Sequence, residues 1–172
     1  TQDVDFGTST AVSGGWVDGY DGDVSESVTR SAVLVIAIAG QEALFDKIGE
    51  AETLQAVERY IKRVTRVSEA FGGRTVEIRH GETVVDIEQP DIALQAAIEM
   101  QHRVAVLPPV SGVHLSLQIG FSYGAADEAG DSPSRAVIDT ASTLAGMAEP
   151  GQIIACVHAQ TALSEGIKAR FD

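Results

Sequence analysis

The sequence predicts an α/β (α+β) domain, a mixed β-sheet sandwich with helices on it in the ferredoxin-like order. Three observations carry this. The run AVLVIAIA (32–39) is short, rich in β-branched residues and uncharged, which marks a buried strand. The stretch TVEIRHGETVVDIE (75–88) reads as two strands around His80-Gly81, a hairpin with glycine at its tip. Segments of helical period alternate with these strands instead of following them in a block, giving the order β-α-β-β-α-β-(loop)-α-β-α.

Each element has its own signal. Residues 1 to 29 are rich in Asp, Gly, Ser and Thr, hold few branched aliphatics, and are expected to be a flexible acidic arm. Residues 30 to 172 are expected to form the domain. After the first strand, Leu44, Phe45, Ile48, Leu54, Val57, Ile61, Val64 and Val67 recur at helical spacing over 41–70. Gly49 marks a break in that helix, and Gly72-Gly73 ends it. After the hairpin, Ile92, Leu94, Ala96, Ala97, Met100 and Val104 predict a second helix over 91–106, which Pro108-Pro109 stops. HLSLQIGFSYG (114–124) alternates as a strand does, and AADEAGDSPSR is an acidic loop. A third helix is predicted over 136–148, PGQIIACV as a turn and strand, and a last helix from near His158.

Composition narrows the function classes. The chain has 172 residues, 44% of them hydrophobic and 22% charged, enough for one domain with a sizeable core. Its formal charge is −13, which repels nucleic acid and anionic membrane, and no run of Lys or Arg offsets it. Arg59, Lys62, Arg63 and Arg66 share one helix face and read as a solvated stripe. No apolar stretch reaches the roughly 18 residues that a membrane span needs. The single cysteine, Cys156, lies in the apolar run IIACV and reads as a small core residue; a reducing cytoplasm is the expected setting. Asp18, Asp21 and Asp23 miss the spacing of a calcium loop, and His80, His102, His114 and His158 have no zinc-ligand spacing. The chain starts at Thr1 and stops at Asp172, so the expectation is a fragment truncated at its C-terminus.

Five segments, IAIAG, SEAFGG, DIALQAAIEMQ, LQIGFSYG and LAGMAEPGQII, occur in the order and with the gaps of one known family. From about Val33 to Leu163 the chain resembles the class III nucleotidyl cyclase domain, the adenylate and guanylate cyclase homology fold. The resemblance implies a cyclase-type mixed sheet. It also implies a site shared between two subunits, where two divalent ions, an Asn, an Arg and a base-reading Lys–Asp pair turn ATP or GTP into cyclic nucleotide.

Carried over position by position, the resemblance finds none of those side chains. The first metal-binding Asp falls on Ala37, three residues before Gly40, and the second on Gly81. The base-reading Lys falls on Glu77, a reversal of charge, and its companion on Ala136. The Asn position falls on Asp139 and the Arg position on Thr143. Glu82, beside Gly81, reads as a solvated hairpin residue, because a slip of one residue along a strand turns the side chain to the other face. The resulting expectation is an inactive cyclase-like domain that dimerises or regulates within a larger signalling protein. Its partners are then a second copy or other domains of the same longer chain. No cofactor is expected; magnesium or manganese enters only if the domain is an active or residual cyclase. A small-molecule sensor using the vacated cleft is a third reading, with His80 near that cleft.

Overall fold

The computed structural model describes residues 3–5, 29–79 and 81–171. One six-stranded sheet organises the chain. Its strands are β1 (Asp3–Asp5), β2 (Arg30–Ala39), β3 (Arg74–Arg79), β4 (Glu82–Ile87), β5 (Ser116–Ala125) and β6 (Gln152–Ala155). They lie side by side in the order β1-β6-β5-β2-β4-β3. β2 pairs antiparallel with β4 and β5, β3 pairs antiparallel with β4, and β6 pairs parallel with β5 and β1. The predicted mixed sheet is therefore present, with β2 at its centre.

Alternation along β2 divides the core. Leu34, Ile36 and Ile38 face α1 (Gln41–Ala70) and α2 (Pro90–Ala105), joining Val57, Tyr60, Val64, Leu94 and Met100. Val33 and Val35 face the other way, against Val137, Ile138, Ala141 and Ala145 of α3 (Arg135–Met147). Each fully buried Leu or Ile contributes on the order of 1.5–3 kcal/mol of transfer free energy, so the strand is pinned by both of its faces. α3 lies so close to the sheet that a Cβ on Gly120 would stand 1.9 Å from the Ala141 carbonyl oxygen. Only glycine admits that approach.

The break expected at Gly49 is real: its φ of 84° and ψ of 175° interrupt α1, a conformation open to glycine. Gly72 follows the helix at φ 80°. Two differences from the sequence reading stand out. Within the stretch read as an arm, Asp3–Asp5 forms an edge strand on β6, in register with Gln152–Ile154. Three residues, two of them aspartates, carry too little pattern to announce a strand, and neighbouring backbone supplies the pairing. The remainder of that stretch to residue 28, with Trp16, Tyr20 and the aspartates between them, lies outside the described residues. The last helix is two, α4 (Val157–Ala162) and α5 (Glu165–Phe171). Leu163 is extended at ψ 146°, and Ser164 Oγ then accepts from Ile167 N at 3.3 Å, starting a new helix.

Candidate functional site

The face of the sheet beneath α3 carries Ala37 and Glu77, two of the positions singled out in the sequence. Ala37 is the Cα partner of Gln118 on β5 and of Glu82 on β4, and Glu82 is in turn the partner of Arg79 on β3. Directly opposed residues project to the same face, so Gln118, Ala37, Glu82 and Arg79 form one row across four strands. Glu77 lies two residues before Arg79 and shares its face. A bulge between Thr75 and Glu77 lets Val76 pack on the α3-side core, just ahead of these charged positions.

Arg79 is the centre of the charge arrangement. Its Nε is 3.3 Å from Glu77 Oε2 and 3.9 Å from Glu82 Oε1, and its Nη2 is 3.8 Å from Asp139 Oδ1. Arg135, at the start of α3, donates from Nη2 to Glu77 Oε1 at 3.3 Å. Ser142 Oγ lies 2.9 and 3.0 Å from the two Glu82 carboxylate oxygens and donates to that carboxylate. Three carboxylates are thus held by two guanidiniums and a hydroxyl. Gln118 Nε2 donates to the Ala148 carbonyl at the far end of the row. The Arg79, Glu77 and Glu82 side chains are 28%, 28% and 20% exposed and only partly screened, whereas Asp139 at 60% meets Arg79 largely in solvent.

α3 is positioned by its cap and its apolar side. Ser134 Oγ accepts from Val137 N at 3.4 Å, and Ser122 Oγ donates to the Val137 carbonyl at 2.8 Å. Val137, Ile138, Ala141 and Ala145 turn inward, which leaves Ala136, Asp139 and Thr143 exposed on the outer side.

Of the sequence-derived positions, Ala37, Glu77 and Asp139 come together around Arg79 and Glu82. Gly81 sits in the hairpin turn at φ 80°, with Gln41 Nε2 3.9 Å from where its Cβ would be. Ala136 and Thr143 line the outer side of α3 without joining the network. His80 lies outside the described residues. The reading of Glu82 as a solvated hairpin residue is corrected: it is half-buried, opposite Ala37 and hydrogen-bonded to Ser142. The reason is the turn. Arg79 and Glu82 close a two-residue loop, so Glu82 already belongs to the strand that pairs with Ala37. Arg79, Arg135 and Ser142 went unassigned in the sequence. The one available signal was the placement of Arg79 two residues from Glu77 on the same strand.

Chemically, the row holds a single carboxylate where Ala37 brings a methyl group, and a guanidinium stands beside it. Among the described residues no three His, Cys, Asp or Glu side chains converge on a point that would hold a metal ion. Burial raises the Cys156 thiol and the Tyr60 phenol above their ordinary values, with weaker opposing effects from backbone hydrogen bonds at Cys156 and from Arg59 at Tyr60. Both residues belong to the core on the other side of the sheet. Among the described residues no helix is long and apolar enough to cross a membrane.

A scan against protein-family models finds none that matches the chain, and a sequence search of curated proteins finds no match. Solved structures do match. An adenylate cyclase of Trypanosoma brucei in its monomeric state superposes with a TM-score of 0.70 at 15% identity, over 84% of this chain and 80% of that one. The dimeric guanylyl cyclase domain of the RhoGC fusion protein from the aquatic fungus Blastocladiella emersonii gives 0.67 at 11% identity, over 78% and 83%. A bacterial light-regulated adenylyl cyclase gives 0.65 at 15% identity, over 80% of this chain and 45% of that one. The chain carries the fold of adenylate and guanylate cyclase catalytic domains.

Proposed function

We propose that this is a cyclase-fold domain without cyclase turnover, which acts by association, as a dimerisation or regulatory module of a larger signalling protein. One observation carries the reading. Arg79 bridges Glu77, Glu82 and Asp139 between β3, β4 and α3, and Arg135 completes the charge balance at Glu77. Polar positions that would face metal and nucleotide in an active relative of this fold are satisfied here by the chain itself.

The donor set does not fit a pair of divalent ions. Cyclisation of a nucleoside triphosphate needs carboxylates to hold the ions that activate the attacking oxygen and neutralise the phosphates. Ala37 offers none, and Glu82 is engaged by Ser142 with Arg79 close by. Glu77 and Asp139 repel phosphate, and Thr143 offers no cation to the developing charge. Loss of such a cation costs several orders of magnitude in phosphoryl-type chemistry. A residual cyclase rests on the lone Glu82 carboxylate.

Association is supported by the outer side of α3. Ala136, Thr143, Gly146 and Met147 are exposed there, and its one acid, Asp139, is paired with Arg79. On a chain of charge −13 such a low-charge surface is suited to contact with a second copy. Sedimentation velocity tests this: a dimer at micromolar concentration that Thr143→Glu with Met147→Glu dissociates supports the reading. A strict monomer at high concentration removes the dimer version.

A further inference from the structure

A second feature lies on α1, away from the α3 face. Residues Gln41, Glu42, Phe45, Asp46, Glu50, Thr53 and Leu54 line a cleft of about 440 Å³. All come from the two halves of α1 on either side of Gly49, so the kink shapes the cleft. Phe45 and Leu54 form its apolar walls and are 50% and 58% exposed, a large cost to leave in water. Thr53, 4% exposed, lines the same cleft, and its Oγ1 has no hydrogen-bond partner among the described residues. A helical threonine ordinarily satisfies itself on the carbonyl four residues earlier. Here that residue is Gly49, whose ψ of 175° turns its carbonyl away from the helix.

The charge around the cleft has one sign. Glu42 and Asp46 stand at i and i+4 ahead of the kink, a like-charge pair that is self-repelling in a helix, and Glu50 adds a third carboxylate just beyond it. Among the described residues no basic side chain comes within ion-pair distance of them. Lys47, on the same helical segment, reaches instead toward the Ser111 carbonyl at 3.4 Å.

We infer that this cleft is a docking site for a basic amphipathic segment of a partner protein, distinct from any association through α3. One apolar side chain of the partner seats between Phe45 and Leu54, and its Lys or Arg side chains meet Glu42, Asp46 and Glu50. A peptide fits better than a small amine. A cleft built from one kinked helix is open on its far side, whereas small-ligand sites enclose most of their ligand's surface. A peptide carried by a larger partner needs only an anchor and flanking charge complementarity.

The test is fluorescence anisotropy with a labelled leucine–lysine amphipathic peptide and a labelled glycine–lysine peptide of equal charge. The amphipathic probe should bind and the glycine–lysine probe should bind at least about tenfold more weakly. Phe45→Ser with Leu54→Ser should weaken the amphipathic probe by about tenfold or more. Glu42→Gln, Asp46→Asn and Glu50→Gln together should weaken it and flatten its salt dependence. All these side chains except Thr53 are at the surface, and circular dichroism verifies that the variants fold. Equal binding of both probes, or an unchanged Phe45/Leu54 variant, overturns the proposal. So does competition by free alkylamine as effective as by unlabelled peptide, or self-association of the chain that the Phe45/Leu54 variant abolishes.

Discussion

Ala37 and Glu82 stand directly opposite each other across the β2–β4 ladder, a methyl facing a carboxylate on the α3 side of the sheet. Ala37→Asp would set two carboxylates on opposed residues, where like charges destabilise. The variant should lose about 2–4 °C in Tm without metal, and millimolar manganese should recover part of that loss. Wild-type Tm should not respond to manganese. Thermal unfolding with and without the ion reads both, and a variant indifferent to manganese would show that this row cannot be rebuilt into a metal site.

Arg79 serves three carboxylates, whereas Arg135 serves one and is more exposed. Arg79→Met should therefore lower stability by about 1–2 kcal/mol, and Arg135→Met by no more than about 0.5 kcal/mol. Urea midpoints rank them. If the two are equal, the network contributes nothing beyond surface pairing.

α3 rests on a glycine. In Gly120→Ala the new methyl would lie 1.9 Å from the Ala141 carbonyl oxygen and 2.6 Å from the Ala145 nitrogen, both backbone atoms of a packed helix. A loss of about 3 kcal/mol or more is expected, or no soluble protein. Gly146→Ala, with nothing within 4 Å of the added carbon, should stabilise by up to about 1 kcal/mol. Urea titration of the pair separates close packing from helix propensity.

Burial keeps the Cys156 thiol protonated beyond its ordinary value of 9.0. The unfolded thiol ionises first as pH rises, so the unfolded state gains and folding stability falls above about pH 9 until the folded thiol also ionises. Below that pH the contribution is fully present. Cys156→Ala should show a shallower loss between pH 9 and 10, read from urea midpoints across pH. Native protein at pH 8 should react with iodoacetamide only as fast as it opens.

What the sequence disclosed follows from where the pattern was strong. The apolar run of β2, the glycine punctuation at Gly49 and Gly72, and the period of α1, α2 and α3 specify core elements by burial alone, and those elements are present. Edge features resisted. Asp3–Asp5 is held by the backbone of β6 rather than by its own residue types. Of the positions the resemblance singled out, Glu77 and Asp139 meet at Arg79 and Ala37 lies beside Glu82. The groups that engage them, Arg79, Arg135 and Ser142, were not legible, because they come together only after a hairpin and a helix fold onto one face. Glu82 was misread for the same reason: its partner, Ala37, is distant in sequence, and turn length decided which residue faced it.

The central proposal is that the Arg79 ion pairs occupy the face beneath α3 and that no cyclisation of nucleotide takes place there. The direct measurement is cyclic nucleotide formed by the purified protein from ATP or GTP with manganese. The expected result is product at the level of a protein-free blank, unchanged by Glu82→Gln. Turnover above the blank that Glu82→Gln abolishes would contradict it.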